Sequence, residues 1–230
     1  MQALIFIPSL LLFLYILYRL VKDDYIFIRK GISLEQSFDI AFITLWSSLF
    51  FSRVFYLLFH IYSGENFLFD FFSPGKGGFS LTGAIIGGTL AVYLIGKHNK
   101  LPLGRLSDFL SLAFLYTLPL LFLSDALIAK KQEVLFLFLN AAIYFVLLLF
   151  FAQFLYPKVI NRTIKEGLLS ILFLLLFSLI SLVTAVLVSL KDLWALITPE
   201  NITLGLFLLL NSILLIRLVK PSYTRRAVQR

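Results

Sequence analysis

The stretch GLLSILFLLLFSLISLVTAVLVSL, Gly167–Leu190, holds neither a charged residue nor a proline in 24 consecutive positions. A helix rises about 1.5 Å per residue and the hydrocarbon layer is about 30 Å thick, so a run of this length and composition reads as a membrane-spanning helix. The rest of the chain repeats the pattern. Mainly apolar runs cover roughly 3–18, 37–62, 79–96, 106–123, 134–156, 167–190 and 202–219, seven in all. Charged or Gly/Pro-containing stretches separate them, among them Ser73–Gly78, Pro157–Glu166 and Lys191–Asn201. The 230 residues are 60% hydrophobic and 14% charged, and their mean hydropathy is +0.99. Soluble domains carry about 45–50% apolar and about 25% charged residues, so too little polar surface remains here to cover a water-soluble globule. The expected fold is an all-α polytopic membrane protein, a single transmembrane helical domain over 1–230. The first run has no positive charge ahead of it and ends at Tyr18-Arg19 without the small residues of a cleavage site. It is therefore expected to remain a helix and not to be removed as a signal peptide.

The net charge is +8. Fifteen of the twenty Lys and Arg fall in 19–30, 97–105, 158–165 and 217–230, which lie on one side if the runs alternate; Lys76, Lys130, Lys131 and Lys191 lie on the other. This bias places the N-terminus outside and the C-terminus in the cytoplasm, and it accounts for the basic excess without a nucleic-acid partner. The absence of cysteine excludes disulfides, thiolate metal sites and cysteine nucleophiles. His60 and His98 lie on opposite sides of the membrane, so no metal is expected, nor any other cofactor. A transport path calls for polar residues along the helices, and the last three runs hold only Asn140, Gln153, Asn211 and scattered hydroxyls. That distribution argues against transport.

Arg53 is the one Lys or Arg deep inside a run, Arg217 lying at the cytoplasmic end of the last. It sits ~13 Å from the outer end of the second run, where a charge costs roughly 2.5–3.5 kcal/mol. One reading is a guanidinium that holds a phospholipid phosphate, since its planar fork matches phosphate oxygens. The other is a structural ion pair, with Asp39 or with a carboxylate on another helix. Gly75-Lys76-Gly77-Gly78, followed by Ser80 and Thr82, opens the third run from outside. Glycines let backbone approach a ligand and a helix start attracts anions, so this turn suits a headgroup phosphate; the alternative is a flexible turn. Gly83-x-x-x-Gly87 with Ala84-x-x-x-Gly88 is a small-residue stripe, which makes Gly87 a packing residue. Asp108, at the cytoplasmic start of the fourth run, reads as a structural first-turn acid. Asp125 stands at the outer end of that run.

Taken in order, these features resemble the prolipoprotein diacylglyceryl transferase family of bacterial inner membranes. Phe51-Ser52-Arg53-Val54-Phe55-Tyr56-Leu57-Leu58-Phe59 is similar to the family's Gly-Gly-Arg-x-Gly-Tyr-x-Leu-Phe segment. Gly77-Gly78-Phe79-Ser80-Leu81-Thr82-Gly83-Ala84-Ile85-Ile86-Gly87 is similar to its Gly-Gly-x-Ser-Phe-His-Gly-Gly-x-x-Gly, with Thr82 where the family has histidine. Ser107-Asp108-Phe109 is similar to the Asp-containing entry to its fourth helix. Seven helices with the N-terminus outside agree as well. The family's Gly-Arg-x-Gly-Asn-Phe-x-Asn-Gly-Glu signature has no counterpart, since Leu118–Ala126 reads LPLLFLSDA. The arginine of the family's sixth helix is likewise missing.

The resemblance implies transfer of diacylglycerol from phosphatidylglycerol to the cysteine of a lipoprotein signal peptide, at the bacterial inner membrane. It implies headgroup contacts by Arg53, Gly77, Gly78, Ser80 and Gly83. The candidate catalytic residues are Thr82, whose hydroxyl needs activation to act as a base, and Asp125, the polar residue nearest the place of the missing signature. Beside this stands a second hypothesis, a non-catalytic relative that binds anionic phospholipid or a partner transmembrane helix through the same groove.

Overall fold

The computed structural model describes residues 2–59, 78–129, 134–188 and 198–219, and among these every regular element is helical. Helix α1 (Gln2–Lys22) and the short α2 (Tyr25–Arg29) precede α3 (Leu34–Phe59), α4 (Leu81–His98) and α5 (Leu103–Ile128). Helix α6 (Val134–Phe150) passes through a π-helical turn, Phe151–Leu155, into α7 (Tyr156–Ile160); α8 (Leu168–Val188) and α9 (Pro199–Val219) follow. Five segments are long and apolar enough to cross a membrane: Leu34–Phe59, Leu103–Leu127, Val134–Ile160, Leu168–Val188 and Pro199–Val219. The chain is an all-α polytopic membrane protein.

Helix α5 is the axis of the bundle. Of its apolar window 56% is buried, against 11–28% in the other four spans. Leu106, Phe109, Leu112, Leu115 and Leu118 are all at most 1% exposed, and Phe109 stacks on Phe27 of α2 while Phe114 meets Phe173 of α8 edge-on. The outward faces of the other helices show Trp46, Leu135, Val146 and Leu209, more than half exposed, as lipid-facing surfaces do. Two amide side chains within the spans are hydrogen-bonded, one across helices and one within its own. Thr184 Oγ1 donates to Asn140 Oδ1 at 3.1 Å and Asn211 Nδ2 donates to the carbonyl of Phe207 at 2.8 Å.

Pro157, read as a breaker after the fifth run, does not end that helix. Proline lacks the N–H that would bond four residues back and its ring crowds that carbonyl. The π-helical turn immediately before it widens the helix by one residue, and the helix continues to Ile160.

One end of the bundle is tied by a buried polar cluster. Asp24 Oδ1 accepts the N–H groups of Ile26 and Phe27 and so starts α2. Its Oδ2 receives Arg105 Nη2 at 2.6 Å and Nε at 3.0 Å, while Arg105 Nη1 donates to the Val159 carbonyl at 2.7 Å. Arg105, counted among loop cations in the charge tally, is thus 3% exposed and structural in its contacts. Asp108, 1% exposed, accepts from Gly167 N and Ser170 N, both at 2.8 Å. It lies in the second turn of α5 but caps α8. Gly167 meets it at φ +88°, which favours glycine. These contacts gather the end of α1, the start of α5, the end of α7 and the start of α8, so the basic clusters 19–30, 97–105 and 158–165 share one end.

Helices α3 and α4 approach closely along the glycine stripe. A Cβ on Gly87 would lie 2.5 Å from Phe51 Cβ and 2.8 Å from the Ser47 carbonyl oxygen. Ser47 Oγ donates to the Gly87 carbonyl at 3.0 Å across the contact. Gly87→Val is expected to force the pair apart and cost about 1–3 kcal/mol, read as a lower unfolding temperature in detergent. An unchanged temperature would contradict so close a contact.

Candidate functional site

The end of the bundle opposite the Asp24–Arg105 cluster holds the residues singled out from sequence. Ser80 caps α4: its φ and ψ, −83° and 120°, are extended, and its Oγ accepts the Gly83 N–H at 3.2 Å. Helix α4 therefore begins at Leu81. The cap is fastened to α3, since Ser80 N donates to the Ser52 carbonyl at 3.1 Å and Ser52 Oγ donates to the Ser80 carbonyl at 2.7 Å. These paired bonds fix the start of α4 beside the residue that precedes Arg53.

Arg53 is 4% exposed. Its Nη1 donates to the Gly78 carbonyl at 2.9 Å, and the guanidinium lies 5.8 Å from the Tyr56 ring and 5.6 Å from the Phe79 ring. Two aromatic faces and a carbonyl dipole thus offset part of the cost of a buried cation. Asp39 is exposed and fourteen residues earlier on the same helix, ~21 Å away and beyond ion-pair reach. Gly78 is held by the Tyr56 ring, whose Cε2 would be 2.9 Å from an added Cβ.

Thr82 and Ser80 meet a carboxylate from Lys191–Asn201, a stretch expected to separate two runs. Glu200 Oε1 accepts from Ser80 Oγ at 3.0 Å and from Thr82 Oγ1 at 3.3 Å. The last helix begins at Pro199, earlier than the 202 expected, because Thr198 Oγ1 accepts the Asn201 N–H at 3.2 Å and Pro199 takes the first helical position. The order Thr-Pro-Glu-Asn is a helix-start signal and Glu200 suits a first turn, so the helix boundary was readable. Its meeting with Ser80 was not.

The structure therefore brings Arg53, Gly78, Ser80, Thr82 and Glu200 to one end. Gly83 turns toward α3, where an added Cβ would meet the Phe51 carbonyl oxygen and Phe55 Cβ, each at 2.7 Å. Gly77 lies outside the described residues, as do Lys76 and His60. Asp125 is exposed near the end of α5, and among the described residues no hydrogen bond or ion pair joins its carboxylate to the cluster.

Fold and cluster together define a multi-pass helical membrane protein with a buried cation and a hydroxyl-bound carboxylate at the end away from its basic loops. The chain belongs to the prolipoprotein diacylglyceryl transferase family, whose model matches residues 2–120. Phosphatidylglycerol–prolipoprotein diacylglyceryl transferases from two strains of Clostridium kluyveri are 29% identical to it over 79 residues, 34% of this chain and 31% of theirs. The match thus spans about a third of the curated relatives' length. No solved structure matches. Arg53, Ser80 and Thr82 fall inside the stretch matched by the family model, and Glu200 falls beyond it.

Proposed function

We propose that this protein transfers diacylglycerol from phosphatidylglycerol to the thiol of a prolipoprotein cysteine at the outer face of a bacterial inner membrane. The observation that carries the reading is Arg53, a buried guanidinium fixed by the Gly78 carbonyl beside the capped start of α4. Displacement at the glyceryl carbon expels a phosphate, and a preorganised cation in a low-dielectric setting stabilises the charge that develops on it. Arg53 and Gly78 serve as headgroup residues, with Ser80 beside them and Gly77 next to Gly78 in the sequence.

A second reading is a lipid-binding relative without the reaction. Thr82 in place of the family histidine favours it, because a hydroxyl alone is a poor base. Purified full-length protein, incubated with vesicles of diacyl-labelled phosphatidylglycerol and a peptide containing the acceptor cysteine, separates the two. Label on the peptide sustains the transferase. Saturable phosphatidylglycerol binding without labelled peptide establishes the second reading.

A further inference from the structure

We infer that Glu200 is the base of the reaction, the group that takes the proton from the acceptor thiol; this rests on the transferase reading above. Transfer to a thiol requires a proton acceptor near the cation that holds the leaving phosphate. Thr82 cannot supply it, since an alcohol does not accept a thiol proton at neutral pH. Asp125 is exposed, and among the described residues it is joined to none of the site's groups. Glu200 is the carboxylate that the fold delivers to the site.

Its orientation is set by its partners. The Ser80 hydroxyl oxygen already accepts the Gly83 N–H, so its own proton points at Glu200, and Thr82 supplies a second donor to the same Oε1. Among the described residues Oε2 enters no hydrogen bond, so one carboxylate oxygen is anchored and the other is open to an incoming proton. The segment Gly78–Ser80 links the two functions. Its Gly78 carbonyl receives Arg53 and its Ser80 hydroxyl holds Glu200, which sets the phosphate-binding cation and the base on either side of one three-residue turn. The step is a displacement. The S–H proton passes to Glu200, sulfur forms the C–S bond to the glyceryl carbon, and the C–O bond breaks with its electron pair leaving on the phosphate ester of glycerol. Glu200 then releases its proton to that phosphate or to water, and no oxidant or reductant is needed.

The test compares wild type, Glu200→Gln and Glu200→Asp in the labelled phosphatidylglycerol assay, with phosphatidylglycerol binding measured in parallel. Glu200→Gln should lower kcat by about 100–10,000-fold at pH 7 while binding stays within about threefold, and Glu200→Asp should recover part of the loss. The residual rate of Glu200→Gln should rise about tenfold per pH unit up to the thiol's own pKa of about 8.5, where the thiolate forms without help. A merely structural role gives no such rescue. Glu200→Gln with the wild-type rate, or a loss shared by lipid binding and unrelieved by pH, overturns the inference and leaves the transferase reading standing. Failure of the wild-type protein to transfer label overturns both.

Discussion

Arg53→Ala is expected to lower transfer by about 100–1,000-fold, the usual cost of removing one preorganised group that stabilises developing charge. The guanidinium is 4% exposed, so its field is little screened by solvent. The alanine variant should also bind phosphatidylglycerol more weakly. Arg53→Lys separates charge from shape. Lysine keeps the cation but loses the planar fork that meets two phosphate oxygens, and its point charge does not lie flat against Tyr56 and Phe79 as the guanidinium does. An intermediate rate is expected for it. Both variants should unfold near the wild-type temperature, because the α3–α4 contact is built from Ser47, Ser52, Gly83 and Gly87 and not from Arg53 alone. Full transfer by Arg53→Ala would remove Arg53 from the mechanism.

Arg105→Gln and Asp24→Asn are expected to be the most destabilising single changes at the other end. Each partner is about 3–4% exposed by side chain, and each would leave a charge buried without its counterpart. Breaking such a pair costs about 3–5 kcal/mol, much of it the desolvation of the stranded ion. The pair also carries other duties. Asp24 caps α2 and Arg105 satisfies the Val159 carbonyl at the end of α7, so either loss frees backbone groups as well. The double variant should be less destabilised than the sum of the two singles, because it strands no charge. Denaturation in mixed micelles gives the three values. Single variants within about 0.5 kcal/mol of wild type would show that the cluster contributes no more than an exposed pair.

The two ends of the bundle differ in how far they could be read in advance. Arg53 was conspicuous because a lone cation in an apolar run needs an offset wherever it sits, and the Gly77-Gly78 turn before Ser80 marked a helix start. Those are local signals. Arg105 carried none, because a basic residue beside a basic loop looks like any other cytoplasmic charge until Asp24, 81 residues away, is placed against it. Glu200 was hidden for the same reason, with 120 residues between it and Ser80. The headgroup assignment of Gly83 rested on its place in the motif, whereas packing sets it against Phe51 and Phe55.

Sequence alone established the all-helical, multi-pass character and five of the seven expected spans, because helix formation in a hydrocarbon layer depends on about 20 consecutive residues and nothing more distant. It also established that Arg53 needs explaining. The partners of Arg53, Arg105 and Asp108, and the carboxylate beside Ser80 and Thr82, came from packing. Which helix faces meet depends on small-residue stripes, caps and crossing geometry acting between segments far apart in the chain, and hydrogen bonds of about 3 Å form only after those faces have met.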